Sequence, residues 1–156
     1  MQFKKTVLTI AVTGAFMIGL VMSPVLQHVM SDAHAQTVPL TATMIDLAAL
    51  KHGDLPATSN KEMNARPLVV TDNATVALQS GNVLKHIHPK TDEIQYIVEG
   101  SGAMWLGGER KEFKAGTLII IPKGVAHGGT IVTSGPVKAI AIKIPPQGKD
   151  DTVFVD

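Results

Sequence analysis

From residue 67 onward the sequence keeps a regular rhythm of short β-prone runs and turn residues, and this constrains the fold more than any other feature. The runs are Pro67–Val70, Ala74–Leu78, Val83–His88, Ile94–Glu99, Ala103–Leu106, Thr117–Ile121 and Val137–Ile144. Between them lie Asp72-Asn73, Gly81-Asn82, Gly100-Ser101-Gly102, Gly107-Gly108, Ala115-Gly116 and Pro122-Lys123-Gly124. A turn signal about every eight to twelve residues predicts an all-β antiparallel sandwich or barrel. Gly107-Gly108 suits a two-residue hairpin, because such turns need positive φ. Met44–Leu50 reads as either a helical turn or an edge strand.

The N-terminus follows a different logic. Lys4 and Lys5 precede an apolar run from Thr6 to Met22, Ser23-Pro24 breaks it, and Ala33-His34-Ala35 offers small residues at a cleavage site. This is the layout of a secretory signal peptide, and the run is short for a spanning helix. Retention as a membrane anchor is the alternative. The expected organisation is a signal peptide over 1–35, an N-terminal extension with edge elements over 36–66, a barrel over 67–146 and a tail over 147–156. The tail is expected to pack along the outside or to swap onto a partner. The mature protein is then periplasmic or secreted, with no stable membrane insertion after cleavage.

Charge and cysteine content narrow the function. Lys and Arg number 14 against 13 Asp and Glu, and the excess disappears once Lys4, Lys5 and Asp32 leave with the signal peptide. A neutral chain lacks the basic footprint of a nucleic-acid binder. With no cysteine, thiolate metal sites and cysteine nucleophiles are excluded. Any metal must be held by nitrogen and oxygen ligands.

Four histidines remain beyond the signal peptide: His52, His86, His88 and His127. One residue separates His86 from His88 in a β-prone run, so the strand period of two places both imidazoles on one face. Glu93 begins the next strand and His127 follows the Pro122-Lys123-Gly124 turn. Three imidazoles and a carboxylate suit a first-row divalent metal. Asp92, beside Glu93, is an alternative carboxylate.

Read in full, the segments are Gly81-x4-His86-x-His88-x4-Glu93-x6-Gly100 and Gly116-x5-Pro122-x-Gly124-x2-His127. Together they resemble the two sequence motifs of the cupin superfamily, over residues 81–131. The first is one residue shorter between Gly81 and His86 than the family pattern, and Ile131 stands where the second normally ends in Asn. The resemblance implies a single jelly-roll-like cupin barrel, commonly a homodimer, with His86, His88, Glu93 and His127 as ligands. One divalent transition metal per chain is expected, among Mn, Fe, Ni, Cu and Zn.

Alternation from the ligands predicts a mostly aliphatic pocket lined by Leu84 and Ile97, with Gln95 as its extra polar group. Gln95 is expected to meet a substrate or a metal-bound water, or to be satisfied by backbone. The only arginines, Arg66 and Arg110, fall outside this pocket, which disfavours sugar phosphates. A small neutral or singly charged organic ligand fits better. Glu93 is expected either to stay on the metal or to act as general base. The leading expectation is a metal-dependent dioxygenase or related oxidoreductase. The alternatives are a non-catalytic periplasmic small-molecule binding protein and a metal-dependent lyase or isomerase, since one fold hosts many chemistries.

Overall fold

The computed structural model describes residues 39–156; the expected signal peptide, with its cleavage site, lies outside the described residues. After a short 3₁₀ turn at His52–Asp54 the chain forms eight strands: β1 (Met63–Val70), β2 (Thr75–Gly81), β3 (His86–Ile87), β4 (Asp92–Leu106), β5 (Glu109–Lys114), β6 (Leu118–Ile121), β7 (His127–Ile144) and β8 (Val153–Phe154). Every pairing between them is antiparallel. Met44–Leu50 forms no strand; a turn occupies residues 47–49. Among the described residues no helix is long and apolar enough to cross a membrane.

Two long strands organise the barrel. β7 pairs with β2 on one side, with β4 along most of its length, and with β3 through His86 and His127. β4 in turn carries β5 and β6. The length of β4 differs from the sequence expectation: Gly100-Ser101-Gly102 is not a turn between two strands. Strand pairing continues through it, but irregularly, with Gly100 at φ +87° and register shifts against β7 between Ile97 and Trp105. The glycines serve close approach instead, since a Cβ on Gly102 would stand 2.4 Å from the carbonyl oxygen of Ile131. Gly107-Gly108 does close the β4–β5 hairpin, with Leu106 opposite Glu109. β1 begins at Met63, four residues before the expected run. Among the described strands it pairs with β2 alone, apart from one bridge of Asn64 to Ala57, so Pro67 sits on an edge strand beside a register shift, where a missing donor costs little.

Alternation sorts the two faces cleanly on β6. Ile119 and Ile121 point inward and are buried, whereas Leu118 and Ile120 are exposed on the outer face. Inward residues of β4, β5, β6 and β7 form one apolar cluster of Ile97, Met104, Phe113, Ile119, Ile121, Val137 and Ala139. Outward Leu78 and Ser80 of β2 are covered by the N-terminal segment. His52 Nδ1 lies 3.0 Å from Ser80 Oγ, and Lys138 Nζ donates to the Leu50 carbonyl at 2.8 Å. His52 is thus a fastener of that segment.

The C-terminal segment completes the sheet within the same chain: Val153 and Phe154 pair with Ile87 and His86. This brings the tail over the end of the barrel that carries the histidines.

Candidate metal centre

His86 and His127 lie opposite each other in register on β3 and β7, His88 directly follows β3, and Glu93 is the second residue of β4. All four are buried, and one potential ligand atom from each lies within 4.8 Å of the others. Glu93 Oε2 is 3.1 Å from His88 Nε2 and 3.3 Å from His127 Nε2. The turns build this arrangement locally. The Gly124 amide donates to the His88 carbonyl at 2.8 Å, which ties the turn before His127 to the strand end that carries His88. Gly128 has φ +95°, and a Cβ there would stand 2.9 Å from the Leu84 carbonyl oxygen and 3.3 Å from His86 Nδ1. Its missing side chain lets β7 lie against the segment that orients His86.

Each imidazole is held by its other nitrogen. His86 Nδ1 donates to the Leu84 carbonyl at 2.8 Å, His127 Nδ1 to the Val125 carbonyl at 3.0 Å, and His88 Nδ1 to the Asp151 carbonyl. A neutral imidazole that donates from Nδ1 keeps its lone pair on Nε2. Three lone pairs and a carboxylate therefore face one another in a buried space. His127 Nε2 has no hydrogen-bond partner among the described residues. This donor set repels itself without a cation and suits a borderline divalent ion, so the four residues could hold a metal.

The electrostatics agree. Burial, then the neighbouring His127, push the His86 pKa down to about 4, so its lone pair is free at neutral pH. Burial would raise the Glu93 carboxyl; an N–H of His127 or His88 turned towards it, the Lys143 ammonium and the Gln95 amide lower it, and with the Nε2 lone pairs facing inward the lysine and the amide remain to do so. Glu93 stays ionised well below the usual carboxylate range.

The other expected residues fall in different places. Asp92 is exposed and accepts the Lys123 amide at 2.8 Å, so it caps a turn and is not in the cluster. Gln95 faces inward and donates from Nε2 to Glu93 Oε1 at 2.8 Å; it holds the carboxylate. Ile97 also points inward but is 2% exposed within the apolar cluster, one layer below the ligands. Leu84 does not line a pocket. Its side chain is 67% exposed, because residues 82–85 leave strand geometry and the alternation set by His86 and His88 does not extend back to it. What Leu84 contributes is its carbonyl. Arg110 stacks over Trp105 on the outside, 4.8 Å from the ring centroid.

Two contributors were not expected. Lys143 projects into the site from β7, directly opposite Glu93 in register, with Nζ 3.9 Å from Glu93 Oε2 and 3.4 Å from His88 Nε2. Its parity with the buried Ala139 and Ala141 was the signal. Asp151 lies in the tail; besides its carbonyl on His88, its Oδ1 accepts the Lys90 amide at 2.8 Å. No local sequence pattern marks it.

Comparison with known proteins adds the family. Residues 74–143 match the Cupin domain family. The domain is a cupin. An uncharacterised protein of Methanocaldococcus jannaschii is 36% identical over 73 residues, 47% of this chain; the chain spans 58% of the length of this curated relative. Among solved structures, a double-stranded β-helix protein of Klebsiella pneumoniae shares the fold with a TM-score of 0.53 and 20% identity, over 69% of this chain and 96% of that one. A Streptomyces protein solved with uridine gives 0.56 and 17%, over 68% and 88%. KdgF of a Halomonas species gives 0.51 and 17%, over 58% and 87%.

Proposed function

We propose that this cupin is a metal-dependent enzyme acting on a small organic substrate, in the first place an oxidoreductase of the dioxygenase kind. One observation carries the reading: three buried imidazoles, each fixed through Nδ1, present Nε2 to a buried carboxylate. His86, His88, Glu93 and His127 would hold one divalent transition metal. When bound, it supplies a Lewis acid and, if redox-active, an electron path, with coordination positions left for substrate. The chain's own contribution is orientation. Backbone carbonyls fix the rings, Gln95 fixes Glu93, and a cleft of about 440 Å³ lined by His86, His88, Glu93, Gln95, Lys143 and Gln147 admits the ligand. Held by so many groups, Glu93 suits a permanent ligand better than a mobile base.

Oxygen consumption by the iron- or manganese-loaded chain with candidate substrates tests the redox reading. Turnover without oxygen uptake would move the activity to a lyase or isomerase. That second reading is favoured by Lys143, an ammonium positioned to give or hold a proton beside the cluster. The Streptomyces nucleoside dehydratase shows that a barrel of this fold can host such a reaction. Ligand capture with no turnover of any kind would leave a binding protein.

Export by residues 1–35, to the periplasm or outside the cell, belongs to the same proposal, as does a homodimer. Tyr96, Leu118 and Ile120 make a contiguous exposed apolar patch on the outer sheet face, suited to a second copy.

A further inference from the structure

We infer that the ligand of this site is a small carboxylic acid, a 2-hydroxy or 2-oxo acid, whose carboxylate is received by Lys143 beside the metal ligands. The inference rests on the metal reading and narrows its substrate from neutral or singly charged to anionic. The lysine ammonium has three N–H donors. Gln147 accepts one. The remaining neighbours are His88 Nε2 at 3.4 Å and Glu93 Oε2 at 3.9 Å, both atoms the metal would claim. With those lone pairs engaged, Lys143 keeps donors that face the cleft and can be given to an incoming acceptor.

Charge points the same way. Among the residues lining the cleft, Glu93 is the only acid, while Lys143 and, at the mouth, Lys149 are cationic. Behind the wall, buried Asp151 also faces Lys143, yet two carboxylates still fall one charge short of a divalent ion and an ammonium packed side by side in a largely buried site. An anion between them makes up the difference. The rest of the wall mixes amides and hydroxyls, among them Gln79, Gln95, Gln147 and Thr152, with the apolar Met63, Val83 and Phe154. Because Lys143 stands so close to the converging ligand atoms, one small fragment must reach both. The carboxylate oxygen and the neighbouring hydroxyl or keto oxygen of a 2-hydroxy or 2-oxo acid are a single O–C–C–O step apart and meet that requirement.

Calorimetric titration of the manganese-loaded full chain with lactate, pyruvate and the neutral lactamide tests this. The carboxylates should bind at least about tenfold more tightly than the amide, the expected size for a charged hydrogen bond. Lys143→Met should remove that difference while leaving manganese affinity unchanged or tighter, because a repelling charge is gone. Lys143→Arg should keep much of it, so the result survives if the methionine variant fails to fold. Equal binding of lactamide and lactate, or undiminished lactate binding by Lys143→Met, would overturn the carboxylate assignment and leave the metal reading intact. Failure of the unaltered chain to take up manganese or any other divalent transition metal would overturn both.

Discussion

The two ends of the barrel interior are made by the same strands and behave oppositely. β4 supplies Glu93 and Gln95 to one end and Ile97 and Met104 to the other; β7 supplies His127 and Lys143 to the first, Val137 and Ala139 to the second. At the apolar end each buried side chain stabilises the fold by leaving water, and nothing further is needed. At the polar end three imidazole lone pairs, a carboxylate and an ammonium are buried together, a net cost until a cation and its ligand arrive. Alternation decides which residues enter the barrel; height along the strand decides whether they serve stability or chemistry.

Substitutions should separate the ends. Ile97→Ala is expected to have the largest effect on stability, about 2–5 kcal/mol in urea unfolding, with metal stoichiometry of the folded protein unchanged. Asp151→Ala should do the reverse. It frees the backbone that orients His88 and should weaken metal binding by about 10–100-fold, with a smaller change in metal-free stability than Ile97→Ala.

Acidity sharpens the contrast. His86 has a folded pKa of about 4 against an ordinary 6.5, so between these values the unfolded chain holds a proton that the folded chain does not. The stability of the metal-free protein is therefore complete above about pH 6.5 and declines as pH falls towards 4. Glu93, whose folded pKa also lies below its ordinary 4.5, extends the loss at lower pH. Thermal unfolding across this range should show the slope in Ile97→Ala and a flatter one in His86→Gln. The smallest effect is expected for Gln95→Leu, which removes one hydrogen bond to Glu93 and should cost a few-fold in metal affinity, about 0.5–1.5 kcal/mol, read by competition with a chelator.

Much of the polar end was legible in the sequence because its ligands sit at fixed offsets from turn residues. His86-x-His88 declares a common face by spacing alone, and Gly124 with Pro122 marks the turn that delivers His127. The failures have physical causes. Leu84 was placed inward by extending backwards a strand that begins only at His86. Gly100-Ser101-Gly102 reads as a turn by composition, yet serves close approach of β4 to β7. Lys143 lay hidden among the Ile and Ala of β7, where charge is expected at the surface. Asp151 was invisible, because its role depends on where a Pro-rich tail returns.

The central claim is that His86, His88, Glu93 and His127 hold one metal ion, and metal analysis tests it most directly. The protein purified from its producing cells, beside a His86→Ala/His88→Ala variant, should carry about one divalent transition ion per chain that the folded variant lacks. A folded wild type that holds no such ion and takes none up, or a variant that binds as much, would contradict the account.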